Sequence, residues 1–160
     1  MTPKKELYIA IKEQLKTIAA LELVDLYRGQ FENGKDSYPT EYTCALIRIN
    51  RIEYETMTQQ KQEGTCSVDI ILYCKDGWMD QHSKTKDPQH GLIEIDLQDA
   101  IVDKIQFLQG EKFKKLEQTD EETEDAVYDK AMSYRMGFTC NIYKRTSTAF
   151  AKARLTLNPE

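Results

Sequence analysis

At 160 residues the chain has the length of one domain, and about 70% of its extended-chain surface can be buried, enough for a core without metals or disulfides. A hydrophobic fraction of 40%, a charged fraction of 31% and a net charge of -5 are those of an ordinary water-soluble protein, and the acidic balance argues against a general nucleic-acid binder. No apolar run approaches the roughly 20 residues needed to span a bilayer, and the opening Met1-Thr2-Pro3-Lys4-Lys5-Glu6 lacks a signal-peptide stretch, so a cytosol-like compartment is expected.

Thr2 and Pro3 open a first helix, threonine as cap and proline at the first helical position. Leu7, Tyr8, Ile11, Leu15 and Ile18 follow at helical spacing and predict one buried stripe. Residues 23–31, with Val24, Tyr27 and Phe31, read as a first strand; Asn33-Gly34 and Lys35-Asp36-Ser37 then make a turn. Tyr38-Pro39 marks a strand entrance, since proline cannot donate to a ladder.

Residues 42–54 carry Leu46, Ile47, Ile49 and Ile52 and predict a second strand. Residues 58–64 are polar, and residues 65–74 alternate so that Cys66, Val68, Ile70, Leu72 and Cys74 share the core face. The two strands form a long hairpin with a polar tip that projects from the body. Residues 76–91 form a long polar loop, a length often linked to function.

Ile93, Leu97, Ala100, Ile101, Ile105 and Leu108 define a second helix over 92–109, with Gly110 as its terminator. Residues 113–118 read as a short strand, and residues 117–125 hold six carboxylates and no apolar residue, the pattern of a solvated turn. Residues 131–143 alternate again, with Met132, Tyr134, Met136, Phe138, Cys140 and Ile142 on one face and Arg135 on the other. Residues 1–145 are thus expected to form one domain and 146–160 a flexible C-terminal tail or arm. Burying both helical stripes on the apolar sheet face gives an α+β fold: a twisted, mainly antiparallel sheet with two helices packed on one face, in the order α-β-β-β-α-β-β. The other face is left for solvent or a neighbouring subunit.

The sequence has no Ser-His-Asp or Cys-His constellation and no glycine-rich phosphate loop, so a non-enzyme is expected, with no catalytic residue and no cofactor. Cys44, Cys66, Cys74 and Cys140 lack C-x-x-C spacing and read as reduced, packed thiols. His82 and His90, eight residues apart near Asp80 and Asp87, read as exposed loop histidines rather than metal ligands. A nuclease reading of the same element order needs a D/E-x-K element on the third strand; the chain has Tyr73-Cys74-Lys75, which keeps the lysine and lacks the carboxylate. Glu53 and Glu55 share a strand face and read as solvated. The expected contact residues are those of the hairpin tip, Gln59, Gln60, Lys61, Gln62 and Glu63, together with Trp78 and Met79, large apolar residues in a polar loop.

Over residues 4–145 the layout resembles the tail terminator, or tail-completion, proteins of long-tailed phages and prophages. The marks are Tyr38-Pro39 at the entrance to the second strand, the extended strand to Tyr54, the polar hairpin 58–64, Ser67-Val68-Asp69-Ile70-Ile71-Leu72, and the helix before a final strand pair. The resemblance implies a structural protein that caps the tail tube as a homo-oligomeric ring, a hexamer, and joins it to the head. The implied partners are further copies of the chain, the tail tube protein and a head-tail connector, with no membrane and no sequence-specific nucleic acid. The implied location is the bacterial cytoplasm during assembly and then the virion tail. The alternative is a general α+β binding module for peptide or RNA in a bacterial mobile element, and a degenerate nuclease-like domain is a more distant one.

Overall fold

The structure is a computed structural model that describes residues 1–31, 43–58, 61–75, 93–124 and 131–145. Its elements are α1 (Pro3–Leu15), β1 (Leu23–Leu26), β2 (Thr43–Thr58), β3 (Lys61–Lys75), α2 (Ile93–Ile105), β4 (Glu117–Glu124) and β5 (Ala131–Arg145), the expected order of two helices and five strands. They build one sheet in the spatial order β1-β2-β3-β5-β4. All pairings are antiparallel except β1 with β2, which is parallel, with Leu23 opposite Cys44 and Leu26 opposite Ile47.

The register places the apolar alternation of three strands on one face. Ile47 lies opposite Ile70, which lies opposite Met136; Val68 lies between Ile49 and Phe138. Onto this face pack Leu7, Ile11 and Leu15 of α1 and Leu97, Ile101 and Ile105 of α2, so both helices cover the same side of the sheet. Thr2 caps α1 by accepting a hydrogen bond from the Lys5 amide at 3.4 Å. Cys66 and Cys140 are register partners inside this core, and all four cysteines are buried free thiols. The hydrogen bond with Cys66, reinforced by burial, pushes the Cys140 thiol up and keeps it protonated.

Six expectations are corrected in detail. The first strand ends at Leu26 rather than at residue 31, because Gly29 turns the backbone at φ 70° and the Gln30 side-chain Nε2 donates to the Leu26 carbonyl at 2.7 Å. Phe31 instead folds onto the opposite sheet face and stacks on Tyr73, ring centroids 4.1 Å apart, forming a second small core with Cys44, Leu46 and Ile71. That face is therefore partly covered rather than wholly left for solvent. The hairpin pairs as far as Thr58 opposite Lys61, so the polar stretch from Lys61 onward belongs to β3.

The second helix stops at Ile105, and its left-handed residue is Phe107 (φ 63°) rather than Gly110. The Phe107 amide donates to the Leu116 carbonyl at 2.8 Å and Leu116 returns a bond to Leu108 at 2.9 Å, so the returning segment closes the helix. The short strand expected over 113–118 is only a bridge between Phe113 and Ile142. The acidic run, taken for a turn, is the edge strand β4. Charged side chains on an edge strand discourage unwanted pairing, and here they disguise its strand character.

Gly110 has a different duty. A Cβ there would lie 2.3 Å from Phe113 Cε1 and 2.6 Å from the Glu6 carboxylate, which accepts the Glu111 and Lys112 amides at 2.6 and 3.0 Å. Gly110→Ala is expected to cost about 1–2 kcal/mol, read as a lower urea midpoint at unchanged slope.

Asp25 ties β1 to α1. It accepts from Tyr8 Oη at 3.1 Å and Lys12 Nζ at 3.4 Å, and from Arg28 at 2.7 Å. Burial raises its pKa, but the backbone bond at Leu26 and the Arg28 and Tyr8 hydrogen bonds outweigh it and lower the group from 3.8 to about 2. A depressed carboxylate contributes stability above its unfolded value and loses it as pH falls through the folded one. Stability should therefore decline between about pH 4 and pH 2, and urea titrations should show a shallower decline for Asp25→Asn.

Candidate assembly surface

The outer half of the hairpin is open to solvent. Glu53, Tyr54, Glu55, Thr56, Met57 and Thr58 are all exposed on β2, Met57 at 59%. Glu53, paired with Arg51, and Glu55 are the solvated carboxylates anticipated. Beside the tip of the hairpin a groove of about 910 Å³ opens between the start of α1, residues 111–112 and the end of β5. Lys112 Nζ donates to the Met1 carbonyl at 2.6 Å, and Lys144 Nζ stands 5.6 Å from the centre of the Tyr54 ring. Five cationic side chains, Lys4, Lys61, Lys112, Lys144 and Arg145, line this groove against one carboxylate, Glu111.

Of the expected contact residues, Lys61 and Gln62 line the groove. Glu63 faces the other side, where it accepts from Asn141 at 3.0 Å and lies 3.9 Å from Lys114. Gln59, Gln60, Trp78 and Met79 lie outside the described residues, as do His82 and His90. Cys74 packs in the main core and Tyr73 in the smaller one, so the expected departure from a D/E-x-K element sits in buried apolar surroundings.

The sheet face opposite the helices also carries an ion network the sequence alone did not suggest. Asp69, 4% exposed, accepts from Arg48 Nη2 at 2.7 Å, Asn50 Nδ2 at 2.6 Å and Arg135 Nη1 at 3.4 Å. Arg135 also reaches Asp120 and, at 2.9 Å, Glu122. One chain of charges thus crosses β2, β3, β5 and β4. Glu122 and then Asp120 raise the Arg135 pKa further. Thr119 and then Arg135 hold the Asp120 carboxyl below its ordinary value. Arginine suits this bridging because its planar fork serves several oxygens at once. The signal was present as Arg48, Asn50, Asp69 and Arg135 on the non-core parity of their strands, but only the register brings them together. Among the described residues, no group of three or more His, Cys, Asp and Glu side chains is arranged to hold a metal ion.

No family model and no curated protein matches the chain. Among solved structures, it is similar to a chain of the virion of a native gene transfer agent (GTA) particle. The TM-score is 0.52 at 9% identity, and the match covers 85% of this chain and 93% of that one. The two share a fold along nearly their whole lengths.

Proposed function

We propose that this protein is a structural component of a phage-like particle that caps the tail tube as a ring and joins it to the head. The observation that carries the reading is the end-to-end fold match with a virion chain, 85% of one and 93% of the other. The exposed hairpin with its groove, and a sheet ending in two edge strands, supply the separate surfaces that a closing head-to-tail ring requires. In this reading the chain assembles in the bacterial cytoplasm, with residues 1–145 as the ring body and 146–160 as an arm, and meets the tube protein and a head-tail connector through its hairpin and the segment bearing Trp78 and Met79.

Native mass spectrometry over a concentration series tests the reading, with and without purified tube. A hexamer that grows with concentration or on the tube is expected. A protein that remains monomeric in both settings refutes it. Trp78→Ala is expected to keep the wild-type circular dichroism and melting temperature while weakening assembly about tenfold or more, as for an interface anchor. A loss of fold would instead assign Trp78 to the core.

A further inference from the structure

The charges of this chain are segregated. The protein is acidic overall at -5, yet the groove beside the hairpin tip gathers five cations around a single carboxylate. Two of the cations are forced together: Lys61 and Arg145 are direct register partners on β3 and β5. Like charges placed opposite each other on neighbouring strands destabilise a sheet unless an anion lies against them. Exposed apolar surface accompanies the charge, with Tyr54 at 39% and Met57 at 59% on the groove wall.

The opposite charge is concentrated on β4. Five of its eight residues are carboxylates, none is basic, and the strand is an edge of the sheet. Arg135 holds Asp120 and Glu122. Glu117 and Glu121 remain exposed, with no cation recorded against them among the described residues. Among the described residues the two patches of one protomer cannot meet. Glu117 pairs with Thr139 and Glu121 with Met136, five and eight residues along β5 from Lys144. At about 3.4 Å per residue these separations are roughly 17 and 27 Å, beyond the ~8 Å screening length of physiological salt.

We propose that the basic groove beside the hairpin tip receives the acidic edge strand β4 of a second copy of this chain. The two patches are different surfaces of one molecule, so the contact is head-to-tail and repeats around a closed ring. The apolar groove wall then packs against the neighbour, while Lys61 and Lys144 face its Glu117 and Glu121. This deepens the proposed ring, and rests on that reading only for closure and for the tube as its seat.

The test exchanges charges between surfaces that are exposed in the protomer. One variant carries Lys61→Glu and Lys144→Glu, so that groove and edge are both acidic. The other carries Glu117→Lys and Glu121→Lys, so that both are basic. Wild-type protein at 150 mM salt should form concentration-dependent oligomers by native mass spectrometry and light scattering. Each variant alone should associate at least ~100-fold more weakly, because like charges then face each other across the contact. An equimolar mixture should recover oligomers in which the two variants alternate. Circular dichroism and melting temperatures of the separate variants establish that both are folded.

A wild type that assembles while the folded variants mix without recovery overturns this interface and leaves the ring intact. A wild type that stays monomeric, alone and on the tube, overturns both. Wild-type binding of a 20-base-pair DNA duplex, lost in the Lys61→Glu/Lys144→Glu variant while self-association persists, assigns the groove to nucleic acid and overturns the proposal.

Discussion

Phe138→Ala is expected to be the most destabilising single substitution discussed for this protein, at about 3–5 kcal/mol. The ring is 1% exposed and sits on β5, opposite Val68 on one side and Gln118 on the other. It is part of the core covered by both helices. Truncation removes the transfer free energy of the ring and leaves a void that strands paired on both sides cannot close. For a chain of this length the loss corresponds to a melting temperature lower by roughly 6–20 °C. Met57→Ala, exposed in the protomer, is the control and should change stability by less than about 0.5 kcal/mol at concentrations where the protein is monomeric. Urea unfolding of both variants would decide the matter. A Phe138→Ala loss under about 1 kcal/mol would mean that the helices are not seated on this face.

Asp69→Ala should cost about 2–4 kcal/mol for a different reason. The carboxylate is almost fully buried, whereas the side chains of Arg48 and Arg135 retain 33% and 18% of their exposure. Its removal leaves two guanidinium groups and the Asn50 amide facing one another without their shared acceptor. Breaking a fully buried pair costs about 3–5 kcal/mol, and residual hydration of the arginines brings the figure down. Asp69→Asn keeps the shape and one acceptor oxygen and should fall between alanine and wild type. In a double-mutant cycle with Arg135→Ala, the two losses should be non-additive by about 0.5–3 kcal/mol. Strict additivity would show that the 3.4 Å contact between Asp69 and Arg135 carries no energy.

The parts of the fold that were legible in sequence are those where one residue period meets one buried face. Leu7, Ile11 and Leu15 gave α1, and Cys66 to Cys74 with Met136 to Ile142 gave the core faces of β3 and β5. The failures share a cause. β4 has no apolar side chain facing the core, because an outermost strand can be held by its backbone pairing with β5 and by Arg135. Phe107 takes the left-handed conformation that a nearby glycine seemed made for, since its amide is claimed by Leu116 from a segment nine residues on. Phe31 looked like the end of a strand and packs on Tyr73 across the sheet. The candidate surface was half legible. The polar hairpin pointed to Lys61 and Gln62, but the groove also needs Lys112 and Lys144, which only tertiary structure brings there.

The strand order has a consequence for how the chain is made. β5 lies between β3 and β4, so β4 leaves the ribosome with no partner and can join the sheet only after the later segment inserts beside it. The stripe of α1 likewise waits for Cys140 and Ile142 to complete its seat. Synthesis at about 5–20 residues per second then leaves the first helix partly uncovered for roughly 6–25 seconds. Over that interval the nascent hairpin carries an apolar face without its final covering, which makes this the period in which a chaperone would have most to hold. A stop codon anywhere before β5 should therefore yield a chain bound for degradation rather than a smaller folded protein.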